Sequence, residues 1–282
     1  MQTIDSQQPT GILNPQASTT KFQLARHAPS HDIGAFVLRY WIITWDLRGQ
    51  PPYTQEVVSH PCVNMVFERG KTLIYGIADG KSAHVLAGKG RVFGVKFRPG
   101  GFYPFVNMPV ARLTNCTMRL EEVFAVDSAM LEAQVLAAAD APAMIDIVED
   151  MLRAHLPAPD PQVECINQIV NHIAASQTIR KVDEVARHFH MSARTLQRMF
   201  RQSVGVSPKW VIKQCRLREA AARLHADEPV DWPRLALDLG YFDQAHFIKD
   251  FKHVVGTTPV TYARHPAEAQ ARSGEQYHVH YD

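Results

Sequence analysis

Residues 200–208 read FRQSVGVSP, and residues 251–259 read FKHVVGTTP. Both stretches follow one pattern: an aromatic residue, a basic residue, two variable positions, Val, Gly, a variable position, a hydroxyl residue and Pro. A repeat whose copies are about fifty residues apart is typical of a supersecondary unit that the chain uses twice. The identity of this unit therefore decides the fold of the C-terminal part of the chain.

The residues before the first copy predict two short helices joined by a tight turn. Ser192 can cap a helix that runs to about Val204, and a shorter helix over residues 183–189 precedes it. Leu196 and Phe200 share one face of the second helix. The opposite face is polar and basic, with Arg194, Gln197, Arg198 and Arg201. This arrangement is typical of a helix-turn-helix.

The residues before the second copy repeat the same order. Asp231 and Asp243 are the helix caps, Gly240 lies in the turn, and Phe247 and Phe251 take the two apolar positions. The first helices of the two units are offset by 50 residues and the second helices by 51, so the second turn holds one extra residue. The chain therefore contains two helix-turn-helix units.

The quoted stretches end each unit and begin a new helix. Gly205 and Gly256 suit a left-handed helix stop, and the hydroxyl residue followed by Pro suits the next helix start. The helix over residues 207–224 that joins the units spans roughly 27 Å at 1.5 Å per residue. Successive major grooves on one face of DNA lie about 34 Å apart, so one chain could address both.

The local charge agrees with a nucleic-acid partner, although the net charge of the whole chain is only +2. Residues 181–224 contain ten Lys or Arg and three Asp or Glu. Cationic side chains neutralise phosphates and release counterions, which supplies most of the sequence-independent affinity. A merely solvated basic surface would explain the charge but not the repeat.

The N-terminal half is predicted to be mostly β. Alternating apolar residues separated by turn residues run from Phe36 to Phe105, which is typical of a small antiparallel barrel or sandwich. An apolar stripe then follows helical spacing: Met144, Ile147, Val148, Met151 and Leu152. This stripe predicts packing against the barrel or a dimerisation helix. The proline-rich stretch LPAPDP at residues 156–161 is typical of a linker.

The fold class expected is a multidomain α+β chain, with a small cupin-like β-barrel and an all-α double helix-turn-helix domain. We expect a disordered lead, a β-barrel-like domain, a helical connector, a DNA-binding domain and a flexible tail, over residues 1–20, 21–125, 126–156, 162–264 and 265–282. The lead has no features of a signal peptide, and no segment predicts a membrane span. His278 and His280 are expected to belong to the tail rather than to a metal site.

Residues 162–264 resemble the DNA-binding domain of AraC/XylS-type transcriptional regulators. The closest matches are SARTLQRMFRQSVGVSP and ALDLGYFDQAHFIKDFKHVVGTTPVTYAR. In that family the second helix of each unit enters the major groove. The resemblance therefore implies base contacts by Arg194, Gln197 and Arg198 in the first unit, and by Gln244, Ala245, Ile248 and Lys249 in the second. We expect phosphate contacts by Lys181, Arg201, Lys209 and Lys252.

The chain departs from the family pattern at three positions. His190 replaces the usual turn glycine, Lys181 replaces a common capping serine, and Ala245 replaces a common serine. The last change removes a hydroxyl that could bond a phosphate or a base, so the second unit is expected to bind more weakly or differently. Ile248 has an alternative interpretation as a packing residue.

The β half resembles the sensor domains attached to such regulators, in HPCVNMVFE and GRVFGVKFRPGGFYPF. The resemblance implies that it senses a small molecule or mediates dimerisation, and it leaves the effector unknown. The effector-binding candidates are Arg39, His60, Cys62, Lys96 and Arg98. The three cationic side chains either face a barrel mouth and bind an anion or coat the outside of the domain.

His60 and Cys62 could also begin a metal or thiol site, because they are two residues apart near a strand. No third and fourth ligands accompany them, so no metal site is predicted. Some relatives carry an alkyl-accepting cysteine followed by His-Arg. Cys62 is followed by Val63 and Asn64, which argues against that enzyme.

The functional prediction is a cytoplasmic, sequence-specific transcriptional regulator that binds double-stranded promoter DNA. No catalytic residue and no cofactor is expected, the four cysteines are predicted to be free thiols, and RNA polymerase is a further partner that the resemblance allows. The chain is predicted to be a monomer or a homodimer. An alternative makes the β half a metal-dependent, barrel-type small-molecule enzyme.

Overall fold

The computed structural model of the protein describes residues 20–106, 108–176, 178–224 and 230–264. The predicted flexible tail, with His278 and His280, lies outside the described residues, as does all of the predicted lead except Thr20. In the part of the chain that the structure describes, no helix is long and apolar enough to cross a membrane.

The N-terminal half is built from two antiparallel sheets. One sheet has six strands in the order β1-β2-β7-β4-β5-β8, and the other is a two-stranded ribbon of β3 and β6. The strands are β1 (Gln23–His27), β2 (Val37–Asp46), β3 (Tyr53–Val58), β4 (Asn64–Phe67), β5 (Leu73–Tyr75), β6 (Lys81–Leu86), β7 (Lys89–Phe97) and β8 (Thr117–Met118).

The sheet-rich domain and its strand positions agree with the sequence-based expectation, but the described strands do not close into a barrel. Strand β3 pairs only with β6, and β1 and β8 are the edges of the larger sheet. Alternation of apolar residues predicts which faces of a strand are buried. It does not determine which strand edges pair, so alternation alone does not distinguish a closed barrel from two separate sheets.

Three helices follow the larger sheet: α1 (Glu121–Phe124), α2 (Ser128–Ala137) and α3 (Ala141–Ala154). The apolar stripe of α3 packs in the same core as Tyr40, Val95 and Met65 of the sheet. A buried carboxylate fixes the helix there, since Glu149 accepts hydrogen bonds from the Tyr40 hydroxyl at 3.1 Å and the Ser30 backbone N–H at 2.8 Å. The stripe thus serves packing against the sheet.

The C-terminal half is helical, as expected. Its helices are α4 (Pro161–Ala175), α5 (Val182–His188), α6 (Ala193–Met199), α7 (Pro208–Arg223), α8 (Trp232–Asp238), α9 (Gln244–Val255) and α10 (Pro259–Arg264). A π-helical turn, Phe200–Val204, continues α6 up to Gly205. Helix α7 joins two apolar cores: Val211 belongs to the core of the first unit, and Leu217 belongs to the core of the second.

The β domain contacts both helix-turn-helix units. Near the first unit, the Thr114 hydroxyl donates to the Gly205 carbonyl at 2.7 Å, and the Trp210 indole N–H donates to the Asp79 carboxylate at 2.8 Å. Ile77 lies in the core of the first unit and Val58 in that of the second. The N-terminal half is therefore packed directly against the helical half.

Candidate nucleic-acid interface

Helix α6 presents a polar face to solvent because its opposite face is fully buried. The Ser192 hydroxyl accepts from the Thr195 backbone N–H at 3.0 Å, which starts the helix as the sequence predicts. Leu196 and Phe200 are 0% exposed in the core of the first unit. The four side chains of the predicted reading face are all exposed: Arg194, Gln197, Arg198 and Arg201. Contact with DNA itself stays a prediction.

Helix α9 has the same construction. The Asp243 carboxylate accepts from the His246 backbone N–H at 2.7 Å, and Phe247 and Phe251 are 0% exposed. Ala245, Lys249 and Lys252 are exposed, and Gln244 is half-buried. Ile248 is half-buried against the core of the second unit, which agrees with its alternative interpretation as a packing residue.

The two turns are closed by equivalent backbone hydrogen bonds. The Met191 N–H donates to the Ala186 carbonyl at 3.0 Å, and the Tyr241 N–H donates to the Ala236 carbonyl at 2.9 Å. His190 (φ +51°) occupies the left-handed conformation that Gly240 (φ +82°) adopts in the second unit. A side chain in this region is strained by about 1–2 kcal/mol, so the first turn retains its geometry at a cost in stability.

The extra residue of the second turn is Phe242. Its side chain is 92% exposed, and no residue of the first turn corresponds to it. An aromatic ring in this position lies beside the start of α9 and is open to a partner molecule. The sequence offset identified the insertion but not which residue it added.

The predicted phosphate contacts lie on exposed positions of several elements. Lys181, Lys209, Arg201 and Lys252 are all exposed. A groove of about 510 Å³ has Gln197, Arg201 and Lys209 in its lining, together with the backbone around Gly205. Two cations and an amide around one concave surface can hold an anionic backbone.

Lys181 does not act as the capping residue that serine provides in the resembled family. Instead, the Glu184 carboxylate accepts from the backbone N–H groups of Arg180 at 2.9 Å and Lys181 at 3.3 Å. These hydrogen bonds lower the pKa of Glu184. The helix start is therefore stabilised from within α5, and the Lys181 side chain is left at the surface.

Arg180 makes a contact between the two units that the sequence did not indicate. Its guanidinium reaches from the first unit to the C-terminal end of α8, where Nε donates to the Asp238 carbonyl at 3.1 Å. A Cβ on Gly240 would lie 2.4 Å from the Arg180 Cδ, so a larger residue at position 240 would require the Arg180 side chain to move. The contact joins the two units at their turns. It links residues 58 positions apart, so no local pattern could have shown it.

The five effector candidates lie near one another, since the charges of Arg39, Lys96 and Arg98 all act on Cys62, but their contacts differ. Arg39 on β2 is the cross-strand partner of Lys96 on β7, and His60 Nδ1 lies 3.1 Å from the Cys62 sulfur. Arg98 has a structural contact instead, because its Nε donates to the Gly34 carbonyl at 2.6 Å. The structure thus brings Arg39, His60, Cys62 and Lys96 together and gives Arg98 a role in holding a loop.

The electrostatics of this cluster are those of an anion site rather than a metal site. Burial lowers the pKa of His60, and the charges of Lys96, Arg218 and Arg39 lower it further. Burial raises the pKa of Cys62, which favours a neutral thiol. Among the described residues no group of three or more His, Cys, Asp or Glu side chains could hold a metal ion. Surrounding cations also oppose the binding of a divalent metal.

Comparison with known families gives two matches along the chain. A helix-turn-helix domain family matches residues 185–265 and covers both units. A domain family of unknown function, DUF6597, matches residues 25–119 and covers the sheet-rich domain. No curated protein is similar enough in sequence to match the chain.

Solved structures with some similarity include regulators of transcription. A probable AraC family transcriptional regulator from Rhodopseudomonas palustris CGA009 is 23% identical, with coverage of 36% of this chain and 97% of that chain and a TM-score of 0.34. The DNA-binding domain of AdpA, solved with a target DNA, is 24% identical, with 41% and 98% coverage and a TM-score of 0.29. ToxT from Vibrio cholerae O395 is 11% identical, with 88% and 99% coverage and a TM-score of 0.36.

Proposed function

We propose that the chain is a DNA-binding transcriptional regulator of the AraC/XylS type, and that its two units read successive major grooves of one promoter duplex. A helix-turn-helix domain family matches residues 185–265, which supports this proposal. The observation that supports this proposal is the matched construction of α6 and α9. Each helix buries two large apolar side chains and turns polar or basic side chains outward. A surface helix with this division of faces can enter a groove without disturbing its own core.

The joining helix sets the scale of the arrangement. Helix α7 has 16 residues and spans about 24 Å at 1.5 Å per residue. It packs into the core of each unit, and Arg180 links the two turns. The two recognition helices are therefore held in a fixed relation within a single chain. The length of α7 together with the breadth of each unit suits two grooves about 34 Å apart.

The contacts that we propose follow the chemistry of each exposed side chain. In the first unit, Arg194 and Arg198 suit guanine O6 and N7, and Gln197 suits adenine N6 and N7. In the second unit, Lys249 and Gln244 supply donors, and Ala245 offers an apolar contact for a thymine methyl. Ile248 contributes through packing beneath this surface. The proposed phosphate contacts remain Lys181, Arg201, Lys209 and Lys252.

The proposed division of the chain assigns regulation to the N-terminal half. Residues 21–125 would sense a small molecule, residues 126–156 would connect the halves, and residues 162–264 would bind DNA. The direct contacts of Thr114 and Asp79 with the first unit support such coupling, because a change in the β domain reaches the reading surface without an intervening flexible segment. The protein would act in the cytoplasm, as a monomer or homodimer, on promoter DNA and RNA polymerase.

The test of this proposal is the affinity of variants for DNA fragments selected by the full chain. We expect Gln197→Ala to weaken binding to the selected site by about 1–3 kcal/mol and to relax the preference at one base position. Arg201→Gln should weaken binding to all sequences alike and reduce the slope of affinity against salt.

The control for Gln197→Ala is Gln168→Ala, the same substitution at an exposed position of α4 on another surface. It should leave both affinity and preference unchanged. Unchanged specific binding by Gln197→Ala would show that α6 does not read bases as proposed.

A further inference from the structure

One face of the six-stranded sheet carries an unusual row of polar side chains. Tyr40, Val95 and Met65 form one cross-strand row, and all three are 0% exposed in the core beneath the helices. The next row along the same strands is Arg39, Lys96 and Asn64, which are also cross-strand partners. Because successive residues of a strand alternate between its faces, this second row points away from the core.

Among the residues that the structure describes, no carboxylate pairs with the two cations of this row. In the chain as far as the structure describes it, no hydrogen bond or ion pair involves the side chains of Arg39 or Lys96. The ionisable groups near Lys96 are Cys62, Arg39, Arg218 and Arg26, and burial is the main reason that the pKa of Lys96 is lowered to about 8. Cations grouped without a counter-charge in a partly desolvated place are destabilising.

Helix α7 borders this cluster, because its Leu217 shares an apolar core with Val58, which lies two residues before His60. Its Arg218 is close enough for its charge to lower the pKa of both Lys96 and His60. One turn earlier on the same helix, Gln214 is 0% exposed, and neither its amide oxygen nor its amide nitrogen has a hydrogen-bond partner. Residues four apart share a helix face, so Gln214 and Arg218 lie one above the other. A fully buried amide without a partner is rare in folded proteins, and a bound molecule with a donor and an acceptor would satisfy it.

We propose that Arg39, Lys96, Gln214 and Arg218 form a binding site for a small organic anion between the β domain and helix α7. This inference rests on the proposed function and names the chemical class of its effector. Carboxylate or phosphate oxygens would accept hydrogen bonds from the cations, and the Gln214 amide would satisfy its donor and acceptor on the same molecule. His60 and Cys62 line the site as neutral groups.

The burial of the site excludes larger or positively charged occupants. Cys62 is 2% exposed and Gln214 is fully buried, so a DNA duplex cannot reach these groups. Three cations around a neutral histidine and a neutral thiol repel a metal ion. A small anion is the occupant that removes both the charge imbalance and the unpartnered amide.

The position of the site gives it a direct mechanical connection to DNA binding. Two of its residues belong to β strands of the N-terminal half, and the other two belong to the helix that joins the two reading units. An anion held by both walls draws α7 toward the sheet. Because α7 packs into the cores of both units, its position affects the relative placement of α6 and α9. Effector binding would therefore change the affinity for a two-groove site.

The test is thermal unfolding of the full chain in acetate, citrate or inorganic phosphate, against chloride at the same ionic strength. In chloride, Lys96→Met should unfold at a higher temperature than the wild type, because an unbalanced cation has been removed. At least one anion should raise the midpoint of the wild type by about 5 °C at saturating concentration. The same anion should leave the midpoint of Lys96→Met and of Arg218→Gln at their chloride values.

The matched control is Lys89→Met, which changes an exposed lysine at the start of the same strand. It should respond to the anion as the wild type does. Equal midpoint shifts in the wild type and Lys96→Met, or no specific shift with any of the three anions, would overturn the site. A lower midpoint of Lys96→Met in chloride would also overturn it, since Lys96 would then have a structural partner.

A separate measurement distinguishes failure of the site from failure of the proposed function. The anion that stabilises the wild type should change its affinity for selected DNA by about fivefold or more and leave the affinity of Lys96→Met unchanged. Anion-dependent stabilisation without any DNA binding would retain the site and refute the regulator. Anion-independent DNA binding in all variants would retain the regulator and refute this coupling.

Discussion

A substitution at Gly205 tests the contact between the β domain and the first helix-turn-helix unit. The residue ends the helical segment after α6 with φ +103°, and its carbonyl accepts the Thr114 hydroxyl at 2.7 Å. A Cβ built on Gly205 would lie 3.2 Å from both Val110 Cγ1 and the Val110 carbonyl oxygen. Gly205→Ala therefore adds a backbone strain and a steric contact with the other half of the chain.

The expected magnitude has two parts. A non-glycine residue in the left-handed region is destabilised by about 1–2 kcal/mol. Inserting a methyl group into a closely packed place adds about 1–3 kcal/mol when the neighbour cannot move, and here one neighbour is backbone. Gly205→Ala should therefore reduce the free energy of unfolding by about 2–5 kcal/mol.

The control is Gly49→Ala. Gly49 also has a positive φ, +77°, but a Cβ at this position meets nothing within 4 Å. This variant should show the backbone strain alone, about 1–2 kcal/mol. Both variants would be compared with the wild type by urea unfolding followed through tryptophan fluorescence. Equal losses in the two variants would refute the contact between Gly205 and Val110.

Two further predictions follow from the contacts that join the parts of the chain. Arg180→Ala removes hydrogen bonds to the last carbonyl of α8 and should reduce the free energy of unfolding in urea by about 1–2 kcal/mol. The control, Arg234→Ala, removes an exposed ion pair with Asp238 and should leave the free energy of unfolding almost unchanged. Similar losses in the two variants would contradict the link between the units. The second prediction concerns Lys96, whose pKa is about 8 in the folded chain and about 10.4 in the unfolded chain. Between about pH 8 and about pH 10.4 the unfolded state therefore binds more protons than the folded state, and the stability of the wild type rises with pH. In chloride buffer, the higher thermal midpoint of Lys96→Met should therefore approach that of the wild type between pH 7 and pH 10, and a constant difference would show that Lys96 titrates normally.

Local sequence signals predicted the helical half closely. Ser192, Asp231 and Asp243 were identified as caps from residue type and spacing, and each accepts the expected backbone N–H. The burial of Leu196 and Phe247 followed from helical periodicity in the same way. These features depend on residues within one or two turns of each other, which is why a single sequence can show them.

The features that sequence did not predict all depend on residues far apart in the chain. Alternation gave the strands but not the separate ribbon of β3 and β6, because edge pairing is decided by the whole domain. The sequence does not show whether Arg39 and Lys96 face outward or inward, because this depends on the pairing register of β2 and β7. The approach of Arg218 and the burial of Gln214 required the packing of the two halves.

The central claim is that two helix-turn-helix units of one chain read two neighbouring major grooves. The measurement that tests it most directly is the base preference at every position of the selected DNA, compared between the wild type and Gln197→Ala. The account predicts two blocks of preference about one helical turn apart, with the variant losing preference inside one block and keeping the other. A single block, or a loss spread over both blocks, would contradict it.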